Sequence, residues 1–238
     1  MKNIPIILLV IFSLAFAGAA EAAKGKRRTR NANRVGPYGT ALIGMTNYGG
    51  DPSNNEAELI DLIANSGFAT RDVSASTDDS DIGYQAAFGY RFTRYVALEL
   101  GLAQFGSLTS TATGDIDAGD GAGFVPVRVE LAFNVGGPII SGVGILPLND
   151  KIELYGRVGF LFASVEREFS SRVGGQRGVG GSARGDDQLP VYAAGFSWNI
   201  NQIYSVRAEY QVINDVGDPS RTGTEDLKTA SVGIIVRF

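Results

Sequence analysis

Seven charged side chains fall on the polar side of segments that otherwise alternate between apolar and polar residues: Arg91, Glu99, Glu153, Arg157, Arg207, Glu209 and Arg237. Guanidinium and carboxylate groups in such a setting form charge-assisted, often bidentate hydrogen bonds. Buried unpaired they are costly, so inside a narrow interior they must neutralise one another. The expected arrangement is an internal ion-pair network that packs a closed space. The competing reading is a gated ion path through rearranged pairs. The chain of 238 residues has no histidine and no cysteine. That removes His-based triads, His general bases and His metal sites. No Ser–Lys or paired-Asp constellation stands out, so neither an enzyme nor a cofactor is expected.

Two other motifs carry less. Asp115, Asp117 and Asp120 around Gly119 and Gly121 have the acid density of a calcium loop. The third acid comes one residue late and no bidentate glutamate follows at the proper spacing, so they read as an acidic hairpin tip. Gly174–Gly181 is glycine-rich, but no strand–loop–helix context surrounds it and no Lys-Ser/Thr follows, so it reads as a flexible linker rather than a phosphate loop.

The elements that position the charges have period two. Candidate strands are Tyr38–Tyr48, Ile82–Phe92, Tyr95–Phe105, Phe124–Val135, Ile139–Leu148, Ile152–Val165, Leu189–Ile200, Ile203–Ile213 and Leu227–Phe238. In Ile82–Phe92, Tyr84, Ala86, Phe88, Tyr90 and Phe92 oppose Gln85 and Arg91. In Ile203–Ile213, Tyr204, Val206, Ala208, Tyr210 and Val212 oppose Arg207, Glu209 and Gln211. Tight turns at Thr93-Arg94, Asn149-Asp150-Lys151 and Asn201-Gln202 alternate with long polar stretches at Gly49–Asp81, Gly106–Gly123, Arg167–Gln188 and Asn214–Asp226. Short turns at one end and long loops at the other characterise outer-membrane barrels. Asn55–Gly67 in the first stretch reads as a short helix on the barrel rim, with acids in its first turn and Gly67 at its end.

Nine candidates conflict with the even strand numbers of bacterial barrels. Ile139–Leu148 runs into a tight turn and is placed in the membrane. Phe124–Val135 is placed in a ribbon of the second long loop, although it alternates better, with Val125, Val127, Val129, Leu131 and Phe133 against Arg128, Glu130 and Asn134. The residues leave the choice between the two open. The expectation is an all-β, eight-stranded antiparallel up-and-down barrel, whose interior side chains fill. Its last strand closes on its first, leaving no edge in lipid. Val232, Ile234, Val236 and Phe238 should then meet lipid, with Arg237 turned inward or to the rim.

Export is expected from residues 1–22. Lys2 precedes an apolar run, Ile4–Ala17, that is too short to span a bilayer as a helix, and Ala17-Gly18-Ala19 and Ala20-Glu21-Ala22 offer cleavage sites. Residues 23–35 form a basic periplasmic tail with Lys24, Lys26, Arg27, Arg28, Arg30 and Arg34. The net charge of −4 hides this split, since residues 35–238 carry 14 basic and 24 acidic residues. The tail reads as a solvated segment; contact with anionic headgroups is the sharper alternative.

Gly83–Gly101, Gly144–Gly159, Arg207–Gln211 with Asp215-Val216-Gly217, and the closing Gly233–Phe238 together resemble the OmpA-like transmembrane β-barrel family, in particular short members that lack a peptidoglycan-binding domain. The resemblance covers most of residues 36–238. It implies an outer-membrane barrel with a lumenal network of Arg91, Glu99, Glu153, Arg157, Arg207 and Glu209. It also implies that Phe238 is the signal read by the barrel-assembly machinery. Expected partners are outer-membrane lipids and lipopolysaccharide, with an extracellular partner through the loops and no nucleic acid. A structural, envelope-integrity or surface-interaction role leads, and a low-conductance ion or solute channel is the alternative. Family membership alone does not decide between them.

Overall fold

The computed structural model describes residues 34–49, 52–65, 67–117, 123–216 and 225–238. The export segment, most of the basic tail, and Gly119, Asp120 and Gly121 of the acidic tip lie outside these residues. The elements are β1 (Gly36–Tyr48), α1 (Pro52–Ala64), β2 (Ala69–Asp78), β3 (Ser80–Arg91), β4 (Val96–Asp117), β5 (Phe124–Pro147), β6 (Ile152–Val173), β7 (Gln176–Asn199), β8 (Tyr204–Val216) and β9 (Glu225–Arg237).

Eight strands close into a ring of antiparallel neighbours, β1-β3-β4-β5-β6-β7-β8-β9 and back to β1. The seam between β9 and β1 runs from Tyr38↔Arg237 to Tyr48↔Leu227. The ring therefore has no free strand edge at that depth, which a lipid environment demands. Outward residues of the lower barrel form an apolar belt that includes Phe88, Tyr90, Leu100, Phe160, Tyr192, Phe196, Trp198 and Val232. Val236 departs from the expected lipid contact: it is only 6% exposed. Phe238 beside it stacks on Phe88, with ring centroids 6.4 Å apart.

The parity problem resolves through fusion, not through exclusion of a strand. Phe124–Val135 and Ile139–Leu148 are two parts of one 24-residue strand, β5. Odd-numbered residues face inward along its whole length, but the outer side changes. Below Pro138 both sides carry apolar residues: Ile140 and Leu146 point out, while Ile139, Val143 and Ile145 point in beside Ser141. Above it Val127, Val129, Phe133 and Val135 point in, while Arg128, Glu130 and Asn134 point out.

The long loops are correspondingly less loop-like than their composition suggests. β4, β5, β6 and β7 continue beyond the other strands as an extracellular crown, and β2 joins it by pairing with Thr109–Asp117 of β4. The glycine-rich Gly174–Gly181 is not a linker. Gly174 and Gly175 form the β6–β7 turn with φ of 57° and 80°, the positive values a two-residue hairpin requires. Gly180 and Gly181 then pair with Ser170 and Phe169.

Helix α1 spans Pro52–Ala64, three residues earlier than its sequence signals suggest, and its first turn holds no acid. Proline suits the first helical position, where a missing N–H costs nothing. Gly67, with φ of 85°, follows the helix end. Leu59 and Ile63 pack on Ala112, Ile116, Val127 and Val129, the inward side of the crown.

The three periplasmic turns share one device. The Asn149 side-chain oxygen accepts from the backbone N–H of Lys151 and Ile152 at 2.8 and 2.9 Å. Asn201 does the same for Ile203 and Tyr204 at 2.8 Å each. Thr93 serves Tyr95 and Val96 at 3.1 Å each. Such side chains stand in for a backbone turn acceptor. Asn201→Ala should cost about 1 kcal/mol, read as a lower urea midpoint of the refolded barrel.

Candidate functional site

The inward faces of β3, β4, β6 and β8 bring the expected charges together. Arg91, Glu99, Glu153, Arg157, Arg207 and Glu209 are all buried. They form two connected groups. In the central one, Arg207 on β8 reaches Glu99 on β4, the opposite wall of the ring, with Nη1 2.6 Å from Oε1. Its Nη2 donates to Glu209 Oε2 at 2.6 Å, and Glu209 Oε1 also pairs with Arg157. Arg157 further donates to Gln211 Oε1 at 2.5 Å, with Gln85 and Ser141 at 3.5 and 3.4 Å. Glu209 thus sits between two guanidinium groups.

Nearer the periplasm, Arg91 grips Glu153 with contacts of 3.1–3.2 Å. Arg34, the last residue of the basic tail but one, reaches the same carboxylate at 3.2 Å. It also donates to the Asp150 carbonyl at 2.5 Å, so the tail's final arginine closes the periplasmic mouth. Arg237 turns inward and donates to Ser205 Oγ at 2.7 Å and Asn199 Oδ1 at 3.0 Å.

Two tyrosines complete the central group and had no sequence signal of their own. Tyr38 O–H donates to Glu99 at 2.8 Å. Tyr155 O–H donates to Glu209 at 2.9 Å and accepts from Arg207 Nε at 2.8 Å. Each ring lies across a glycine. A Cβ on Gly89 would come within 2.3 Å of the Tyr38 ring, and one on Gly195 within 2.5 Å of the Tyr155 hydroxyl. Those inward glycines are the closest thing to a signal, because only a bare backbone lets the rings lie flat.

Above the charges the interior becomes apolar. Tyr48, Phe105, Leu108, Phe133, Val135, Ile139, Leu161, Val165, Leu189, Val191, Ile213 and Leu227 form one buried cluster. Beside the charged layer lies a partly open cavity of about 30 Å³, bordered by Tyr38, Glu99, Glu153, Tyr155 and Arg207. That is room for about one water molecule. Chemically the site pairs Arg91, Arg157 and Arg207 with Glu99, Glu153 and Glu209 beneath an apolar layer, with Arg34 and Arg237 added at the periplasmic end.

The OmpA-like transmembrane domain model matches residues 53–238. Among curated proteins, outer membrane protein A of Klebsiella pneumoniae is 29% identical over 163 residues, covering 68% of this chain and 42% of the relative. Outer membrane protein A of Escherichia fergusonii is 27% identical over 170 residues, covering 70% of this chain and 43% of the relative. The chain thus spans less than half the length of these relatives. Among solved structures, the N-terminal barrel domain of Pseudomonas aeruginosa OprF aligns over 86% of this chain and 98% of its own, at 10% identity and a TM-score of 0.37. The family match begins beyond β1 and takes in every other strand of the ring, including all the strands that carry the lumenal charges. On that match the chain belongs to the OmpA-like transmembrane domain family and is a β-barrel of the bacterial outer membrane.

Proposed function

We propose that this barrel is a non-enzymatic structural protein of the outer membrane, contributing to envelope integrity, whose crown meets partners outside the cell. The observation that carries the reading is the double closure of the lumen. Glu99, Glu153 and Glu209 are each held by arginine, which leaves them engaged with one another's partners instead of a substrate. The apolar cluster above supplies a second barrier, almost wholly hydrocarbon, whose Tyr48 hydroxyl is taken up by the Gly106 carbonyl. Eight strands leave an interior that side chains can fill. Phe238, outward on the seam, is proposed as the contact for the barrel-assembly machinery, and the apolar belt as the contact for lipid and lipopolysaccharide acyl chains.

The refolded barrel in a planar lipid bilayer tests this reading against the channel alternative. No steady unitary current is expected at neutral pH. A sustained current with the wild-type sequence would establish a continuous wet path and overturn the sealed-lumen role.

A further inference from the structure

We propose that the outer face of the crown binds a linear sulfated polysaccharide, laid across the strands at the level of Arg128, Arg172 and Arg177. This deepens the surface-interaction half of the proposed function by naming the chemistry of the partner.

The strand register places five polar side chains in one lateral row. Ser74 opposes Thr113, Thr113 opposes Arg128, Arg128 opposes Arg172, and Arg172 opposes Arg177. Directly opposed residues share a face, and this face is the outer one, because Val127 and Val129 on either side of Arg128 point to helix α1. All five side chains are exposed. At a strand spacing of ~5 Å the row runs about 20 Å across the crown.

Three arginines directly opposed on neighbouring strands repel one another and weaken the sheet. Little in the fold offsets this. Arg128 has Glu130 of its own strand at 3.7 Å. Arg172 and Arg177 have no ion-pair partner among the described residues. What the row offers is three arginine side chains rooted at ~5 Å intervals, whose guanidinium forks suit tetrahedral oxyanions carried on a regular polymer. Ser74 Oγ and Thr113 Oγ1, 3.3 Å apart, extend the row with hydroxyls suited to sugar hydroxyls.

Two observations narrow the source. Glu130, Glu166, Glu168 and Asp186 occupy the same outer face between the row and the lipid belt. An anion approaching from the membrane's own leaflet meets these carboxylates first, so the polymer comes from outside. No aromatic side chain stands in the row, and nucleic acid would need stacking platforms for its bases.

The test uses the full chain in zwitterionic phospholipid nanodiscs free of lipopolysaccharide, with dextran sulfate as the probe. Binding that weakens as salt rises is expected. Arg172→Gln with Arg177→Gln should bind about 100-fold more weakly, about ten-fold for each lost charge-assisted contact. Its melting temperature should be unchanged or higher, because opposed charges are removed. Arg128→Gln alone should lose about ten-fold. Arg184→Gln, lower on the same strand and 4.0 Å from Asp186, should bind like wild type. Absence of dextran sulfate binding, or full binding by the double variant, would overturn the proposal. Equal affinity for polyphosphate or for carboxylated polygalacturonate would overturn the assignment of the ligand. None of these outcomes alters the conductance result, so the failure of this site and of the sealed lumen can be told apart.

Discussion

Glu209→Ala lowers the stability of the folded barrel by about 3–5 kcal/mol, the expected cost of stripping one partner from a buried charge cluster. Glu209 is the shared counter-ion of Arg157 and Arg207. After its removal Arg207 keeps Glu99 at 2.6 Å. Arg157 keeps only neutral acceptors, Gln85, Gln211 and Ser141, although its side chain is fully buried. A guanidinium held by neutral acceptors alone does not recover the energy lost on leaving water. Pairing Glu209→Ala with Arg157→Leu should therefore restore part of the loss, since the uncompensated charge leaves with its partner. Arg91→Ala should be milder. It lies near the periplasmic mouth, where Arg34 still neutralises Glu153 at 3.2 Å. The measurement is the urea midpoint of barrels refolded into zwitterionic vesicles, with the heat-dependent gel shift reporting the folded fraction. A Glu209→Ala midpoint equal to wild type would mean that the cluster contributes nothing to stability.

The charge cluster was legible because charge is rare on a barrel's inner strand positions and alternation assigns the side. Its neutral members were not. Tyr38 and Tyr155 read as ordinary apolar residues of alternating strands, and only the cross-strand glycines Gly89 and Gly195 make room for them. Arg34 was read as part of a solvated tail, because nothing local to residues 24–34 points to a carboxylate 119 positions away.

The same physics explains why eight strands were found but divided wrongly. Period-two reading follows which side is apolar, and in this barrel that side depends on depth. In lipid the outer side is apolar; above lipid the outer side meets water and the inner side packs against α1 and the opposite wall. β5 crosses that boundary near Gly136-Gly137-Pro138, where its outer side turns apolar while its inner side stays apolar through Ile139 and Val143, and those three turn-type residues make one strand read as two. β2 escaped notice because Ala69–Asp78 is mostly exposed and its polar alternation resembles a loop.

Val165→Asp is the substitution that tests this change of side most sharply, and it should abolish assembly. Val165 on β6 is fully buried within the apolar cluster. Eight residues below it on the same inward face stands Arg157, in the charged layer. An aspartate at 165 stands among those apolar neighbours, with the inward Arg167 two residues further along β6, and must give up water there or force the crown open. Losses of this kind exceed about 4–5 kcal/mol, close to the entire stability of many domains. Glu168→Val, outward on the same strand in the crown, should change stability by no more than about 0.5 kcal/mol. Val158→Asp, outward in the lipid belt, should cost about 1–2 kcal/mol, less than a basic residue would at the same depth. The three variants thus rank Val165→Asp, Val158→Asp, Glu168→Val, as read by the heat-shifted band in isolated outer membranes. A uniform inner-polar, outer-apolar barrel would give a different order: Val165→Asp would be tolerated as another lumenal charge. Folded Val165→Asp at wild-type levels would therefore remove the hydrophobic seal, and with it the second of the two barriers that close the lumen.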